Sequence, residues 1–68
     1  MTEMVRVAVA GDVTEAEDLQ QALRDAGVEA EIRAEDEADA YALFVPEESF
    51  ETAQDAVEAF AADESADL

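Results

Sequence analysis

The sequence predicts a single α+β domain with its elements in the order strand, helix, strand, strand, helix. Two segments alternate apolar and polar residues with the period of two that is typical of a half-buried strand, and a third is a short apolar run that ends at a proline. Two other segments repeat apolar residues at spacings of three and four, as amphipathic helices do. With 68 residues, the chain has room for one hydrophobic core.

The first strand is predicted over residues 4–10, MVRVAVA, where strict alternation assigns the side chains to two opposite faces. One face carries Val5, Val7 and Val9, and the other carries Arg6, Ala8 and Ala10. The period then changes, and a helix is predicted over 13–26. Gly27 follows its last apolar position, where a glycine commonly ends a helix.

The stretch GDVTEAE between this strand and this helix has the outline of a phosphate-binding loop. It contains one glycine and no lysine, however, and its carboxylates would repel a phosphate. The same residues fit a helix cap, because Asp12 with Glu15, and Thr14 with Glu17, have the spacing of a capping box. We therefore interpret this stretch as a helix N-terminus.

The second half of the chain predicts two more strands and a second helix. The strands are expected over 28–33 and 41–45, and the side chains that face the helices are those of Val28, Ala30, Ile32, Tyr41, Leu43 and Val45. The acidic segment 34–40 between them has no period and is expected to be a loop. The second helix is predicted over 48–62, from the apolar series Phe50, Ala53, Val57 and Phe60.

A right-handed strand–helix–strand unit followed by a hairpin folds most simply into a three-stranded antiparallel sheet in the order 1-3-2, with both helices on one face. This is the ferredoxin-like arrangement, βαββα, without its last strand. The domain is expected to span 1–62, and the acidic tail 63–68 is expected to fray. Strand 1 is then a sheet edge, and its unpaired backbone groups are one candidate site for a homodimer. The face without helices is the candidate interface for a second copy or a partner protein, and its candidate residues are Arg6, Ala8, Ala42 and Phe44.

Charge is the strongest compositional signal. The chain has 20 acidic residues, three arginines and no lysine, which gives a net charge of -17. Half of its residues are nevertheless apolar and periodic, which predicts a folded domain rather than disorder. Such a chain is expected to be repelled by nucleic acids and by anionic membranes. We interpret the acidity as an adaptation to a very salty (halophilic) cytoplasm, where repulsion is screened over about 3 Å.

The residue inventory argues against catalysis and against a bound cofactor. There is no cysteine and no histidine, and the few hydroxyl groups have no lysine or histidine to activate them, so we expect no enzyme activity. The acidic loop is a candidate for binding a hard cation through Glu35, Asp36, Glu37 and Asp39. Because it lacks the glycine of a calcium loop, solvated charge is the simpler interpretation. No signal peptide and no membrane-spanning run of about 20 apolar residues is expected, which predicts a cytoplasmic location.

Two segments resemble a known family. VTEAEDLQQALRDAGVEAEI over 13–32 and YALFVPEESFETAQDAV over 41–57 are similar to the two sequence blocks of a family of small prokaryotic signal-transducing proteins. The similar positions are Glu15, Ala16, Leu23, Gly27, Val45, Pro46, Glu47 and Ala53. The resemblance implies a βαββα domain, with a fold likened to that of the nitrogen-regulatory PII proteins, that acts as a dimer or bound to another protein; it implies no reaction. The glycine-rich and basic segments with which PII proteins bind nucleotides have no counterpart here.

The expected function is therefore that of a non-enzymatic regulatory domain that works by protein–protein association. The alternative is a small-molecule sensor of the PII-like type, in which a metabolite or nucleotide is held between protomers and the arginines bind its carboxylate. A purely structural dimer module has the same sequence features as the regulatory domain.

We predict that the domain needs salt to fold. Removing KCl removes the screening between 17 excess negative charges, so the helical circular dichroism signal and the melting temperature should both fall as salt is dialysed away. A spectrum and a melting temperature that do not change at low salt would contradict this prediction.

Overall fold

The computed structural model describes residues 3–35 and 39–66, the last five of them as backbone only. The elements follow the predicted order. They are β1 (Met4–Ala10), α1 (Val13–Asp25), β2 (Glu31–Glu35), β3 (Ala40–Pro46), a 3-10 turn (Glu47–Ser49) and α2 (Phe50–Ala66). The α+β class is therefore confirmed.

The three strands form one antiparallel sheet in the order β1-β3-β2, as predicted. Both helices pack on the same face of this sheet and against each other. The buried side chains between the two layers are those of Ala10, Ala16, Leu19, Leu23, Val28, Leu43, Val45 and Ala53. Each helix places a fully buried alanine, Ala16 or Ala53, in this core, and a side chain of that size lets the helix backbone lie close to its neighbours.

Helix α1 begins and ends where its capping residues require. Asp12 precedes it with an extended backbone, and the Asp12 carboxylate accepts a hydrogen bond of 2.7 Å from the amide of Glu15. The stretch with the outline of a phosphate loop is therefore a helix cap. Its own carboxylate accepts the hydrogen bond of a backbone amide that a bound anion would need. At the other end Gly27 has a φ of 84°, and the amide of Val28 donates to the carbonyl of Leu23 at 2.9 Å.

Strand β2 begins later than the predicted residue 28 and ends beyond the predicted residue 33. The amide of Val28 is already bonded to the end of α1, although its side chain is buried in the core. The carbonyl of Ala30 accepts a hydrogen bond of 3.0 Å from the side chain of Gln20. These two contacts hold residues 28–30 against α1, so β2 begins only at Glu31. The period-two pattern of the sequence does not predict them. The predicted inward face is confirmed, since Ile32 packs against the core.

Two further boundaries differ from the prediction. The predicted loop 34–40 is shorter, because Ala34 and Glu35 belong to β2 and Ala40 belongs to β3. Residues 36–38 lie outside the described part of the chain, so cation binding by this loop stays a prediction. Helix α2 begins at Phe50, after the 3-10 turn, and its backbone extends into the predicted tail 63–68. Fraying of that tail also stays a prediction.

The face assignment of β1 is wrong beyond Val7, which packs against the core as predicted. Arg6 pairs with Phe44, as alternation requires, but the next residue in register is Ala8, which pairs with Leu43. Val7 is therefore the extra residue of a β-bulge. Because side chains alternate along a strand, one inserted residue moves every later side chain to the opposite face.

The bulge exchanges Ala8 and Val9 between the two faces of the sheet. Ala8, predicted on the face without helices, packs against the core, and Ala10 is fully buried there. Val9, predicted to face the helices, lies on the opposite face with 50% of its surface exposed. Because of the bulge, the face without helices carries the side chain of Val9 where the sequence predicts that of Ala8.

We predict that the hydrogen bond of Asp12, rather than its charge, stabilises α1. Asp12→Ala removes the bond to the Glu15 amide and should lower the free energy of unfolding by about 1 kcal/mol. Asp12→Asn is the matched control, since asparagine also caps a helix but carries no charge. Denaturant titrations in high salt measure both variants. Equal stability of Asp12→Ala and Asp12→Asn would show that the hydrogen bond contributes nothing.

Candidate functional site

The candidate site is the face of the sheet that carries no helix, which we call the open face. It is formed by the strand residues that share a side with Phe44 in the register of the sheet. They are Met4, Arg6 and Val9 in β1, Ala40, Ala42, Phe44 and Pro46 in β3, and Glu31, Arg33 and Glu35 in β2. None of these residues belongs to the core between the sheet and the helices.

The open face is electrically neutral although the chain is not. Its charged residues are two arginines and two glutamates, whereas the chain has three arginines and 20 acidic residues. The rest of the chain therefore carries 18 acidic residues and one arginine, so the whole net charge of -17 lies outside the open face. An approaching second protein of negative charge meets less repulsion at a neutral face than at an acidic one.

A cation–π contact organises one side of the open face. The guanidinium of Arg33 lies 4.4 Å from the ring centroid of Phe44, and the same guanidinium donates to the Glu31 carboxylate at 3.1 Å. The ring is consequently half-buried although no helix covers this face. Arg33 and Glu31 stay about half exposed, so their ion pair contributes little to stability and remains accessible to a partner.

An ion pair crosses the middle of the open face. Arg6 lies beside Phe44 in the register and Glu35 lies beside Ala40, so the line that joins them passes over Ala42. The Arg6 guanidinium reaches the Glu35 carboxylate at 3.5 Å, and both side chains remain partly exposed. Ala42 is fully buried beneath this crossing. The surface that a partner would touch here is therefore polar, with the alanine as its floor.

The structure brings some of the predicted interface residues together and separates others. Arg6 and Phe44 lie side by side on the open face with accessible side chains. Ala42 lies between Val9 and Arg33 in the register but has no exposed surface. Ala8 is directed toward the core, so it is wrong as an open-face residue. Val9 takes its place, and MVRVAVA carries no signal from which its position follows, because the segment alternates without interruption.

A second surface feature lies between the start of β1 and the start of α2. It is a cavity of about 650 Å³ lined by two apolar side chains and four carboxylates: Val5, Phe50, Glu3, Glu47, Glu48 and Glu51. The carboxylates repel an anionic metabolite such as a nucleotide or an oxo acid. Acidic residues in this position also complement the positive end of the α2 dipole, which explains them without a ligand.

Residues 3–35 and 39–66 contain neither a metal-binding cluster nor a membrane-spanning helix. No group of three or more carboxylates there is arranged to hold a metal ion. Within the same ranges, neither helix has the length and apolar character that crossing a bilayer demands.

In comparisons with known proteins, no protein family, no curated protein and no solved structure matches this chain. The resemblance to the family of small signal-transducing proteins therefore stays a prediction. The chemistry of the open face is the remaining basis for a functional proposal.

We predict that a polar substitution destabilises the domain at position 8 and is tolerated at position 9. Alternation in the sequence implies the reverse. Ala8→Gln places an amide against the core and should cost about 1–3 kcal/mol of unfolding free energy, because that amide loses water without gaining partners. Val9→Gln changes an exposed side chain and should stay within about 0.5 kcal/mol of wild type. Denaturant titrations of the two variants in the same salt measure the difference. The reverse ranking would contradict the bulge.

Proposed function

We propose that this protein is a small, non-enzymatic regulatory domain that acts by protein–protein association through the open face. The observation that carries the proposal is the separation of charge: the open face is neutral and partly apolar, and the whole excess of -17 lies elsewhere. A protein adapted to concentrated salt gains solubility from an acidic surface. A neutral face within such a surface is the place where association meets the least electrostatic resistance.

The open face offers the residue types that dominate binding energy at protein interfaces. An aromatic ring under an arginine, as in Phe44 and Arg33, combines apolar area with a charged donor. Both residue types are enriched at protein interfaces, and arginine is also enriched among the contacts that dominate the binding energy. Val9 adds an exposed apolar side chain on the adjacent strand. All three project from strands of one sheet, so little backbone freedom is lost when a partner binds.

The size of the open face sets the strength of the association. Three strands spaced about 4.8 Å apart, with up to seven residues each, cover roughly 15 by 20 Å. The area buried on both partners together then lies below the roughly 1,200 Å² of a stable interface. We therefore expect a weak, reversible complex, which is the behaviour of a regulatory contact.

The alternative function, a sensor of a small metabolite, has weaker support. Both arginines on the open face already contact glutamates of their own chain, so a small ligand must displace one of these glutamates without the many additional contacts that a protein partner supplies. The cavity at the start of α2 is lined by four glutamates and disfavours anions. A thermal-shift screen in concentrated KCl against nucleotides and 2-oxo acids tests this alternative, and a specific shift of several degrees would favour it.

The exposed valines provide a matched test of the proposed surface. Val9 on the open face and Val13 at the start of α1 are 50% and 49% exposed. A photo-crosslinking amino acid at position 9 should form a protein adduct in living cells of high internal salt, and the same group at position 13 should not. The Phe44→Glu substitution should suppress the adduct at position 9, because it breaks the contact with Arg33 and adds a charge.

Adducts formed equally at both positions, or at position 13 alone, would overturn the open face as the site of association. Circular dichroism of each variant in the same salt serves as the control for folding. The mass of the adduct reports whether the partner is another protein or a second copy of the chain.

A further inference from the structure

We propose that the partner is a second copy of this chain, and that the two copies stack open face on open face as a six-stranded β-sandwich with its two-fold axis parallel to β3. This inference rests on the proposed function and adds the identity and orientation of the partner. It follows from the positions of the four charged residues within the register of the sheet.

Stacked sheets pack with their strands nearly aligned, and two identical copies commonly associate about a two-fold axis. With the axis parallel to β3, strand β1 of one copy lies over β2 of the other, and residues at the same level face each other. Arg6 and Glu31 are both register partners of Phe44, so they share one level. Arg6 of each copy then faces Glu31 of the other, and the two Phe44 side chains, each beneath its own Arg33, lie beside the axis. The new pairs form when Arg6 leaves Glu35 and Glu31 leaves Arg33, and both of these exposed ion pairs are weak.

The other aligned arrangement has its two-fold axis perpendicular to the strands. Strand β2 then lies over β2 of the second copy in the reverse direction. Centred on Arg33, this arrangement places Arg33 against Arg33, and Glu31 against Glu35, of the other copy. Like charges then face each other at every charged position of β2, which is destabilising. Centred midway between Arg33 and a neighbouring glutamate instead, the arrangement pairs opposite charges on β2, but β1 still lies over β1, which carries no carboxylate on the open face. Only the axis parallel to β3 gives Arg6 a carboxylate of the other copy to bind.

The edge of β1 is a weaker surface for a second copy than the open face. Pairing along that edge needs a regular row of backbone donors and acceptors, and the bulge at Val7 interrupts the row in the middle of the strand. The edge of β2 is five residues long, so it offers a second copy a shorter row of backbone donors and acceptors than the seven residues of β1. The open face has no such obstacle in the parallel-axis arrangement.

The acidic remainder of each copy makes this association depend on salt. Two bodies of charge -17 repel each other over a long range when salt is low, and concentrated salt screens this repulsion to about 3 Å. The Arg6–Glu31 contacts lie between the two sheets, where water and ions are partly excluded, so they are screened less than the exposed carboxylates. Self-association should therefore strengthen as KCl is raised.

The test is a pair of charge reversals measured alone and mixed, by sedimentation velocity in about 2 M KCl, where surface repulsion is screened. Arg6→Glu alone places two glutamates at each contact, and Glu31→Arg alone places two arginines there. Each variant should self-associate at least about tenfold more weakly than wild type. An equimolar mixture should associate as wild type does, because the introduced glutamate meets the introduced arginine and the native Arg6 of one copy meets the native Glu31 of the other.

Two matched controls change the charge by the same amount outside the open face. Arg24→Glu and Glu17→Arg lie on α1, both side chains are exposed, and neither should alter self-association. Melting temperatures in the same salt show whether each variant folds. If a single reversal fails to fold, neutral Arg6→Gln and Glu31→Gln replace the pair, and each should weaken association while the Arg24→Gln control does not.

Three results would overturn the inference. They are a wild-type chain that remains monomeric at high concentration in every salt, charge reversals that leave self-association unchanged, and a mixture that does not recover. In each case an adduct at position 9 with a different protein would leave the proposed function intact. Absence of any adduct at position 9 would remove the proposed function itself.

Discussion

The whole domain depends on the central strand β3. Its backbone is hydrogen-bonded to β1 on one side and to β2 on the other, so both edge strands are held in place through it. Its side chains serve both faces: Leu43 and Val45 are fully buried in the core, and Ala42 is fully buried on the opposite face. A sheet of three strands has one central strand, and here it carries the core and the floor of the open face together.

The second constraint is electrostatic and determines which surface of the domain is neutral. Twenty carboxylates cannot be buried in a domain of this size, because an ionised group in the interior needs a partner, and the chain has three arginines. No charged side chain in the described ranges is buried. The acidic residues of the described part therefore lie on exposed or partly exposed positions of the helices, turns and strands. Two of the three arginines lie on the open face beside glutamates, which makes that surface neutral.

The geometry of the open face arises from contacts between strands rather than along them. Arg33 in β2 covers the ring of Phe44 in β3, and Arg6 in β1 crosses β3 to reach Glu35. These contacts leave the charged groups exposed and the backbone fixed. A surface of this kind suits reversible association, because the ion pairs within one copy are weak and can be rearranged with a partner at small cost.

The sequence by itself determined the class of fold, the order of the strands and the limits of α1. Periodicity identifies the elements, and Asp12 and Gly27 mark the ends of α1 through local hydrogen bonds and backbone conformation. It also placed Arg6, Phe44 and Ala42 on the face without helices, because alternation within each strand assigns these side chains to one side.

Only the tertiary structure decided that Val9 rather than Ala8 belongs to this face. A bulge depends on how one strand fits its neighbour, and MVRVAVA alternates in the same way with or without it. The late start of β2 and the cover over Phe44 also required the folded chain, because the side chains that cause them, Gln20 and Arg33, act across space between elements that the sequence separates.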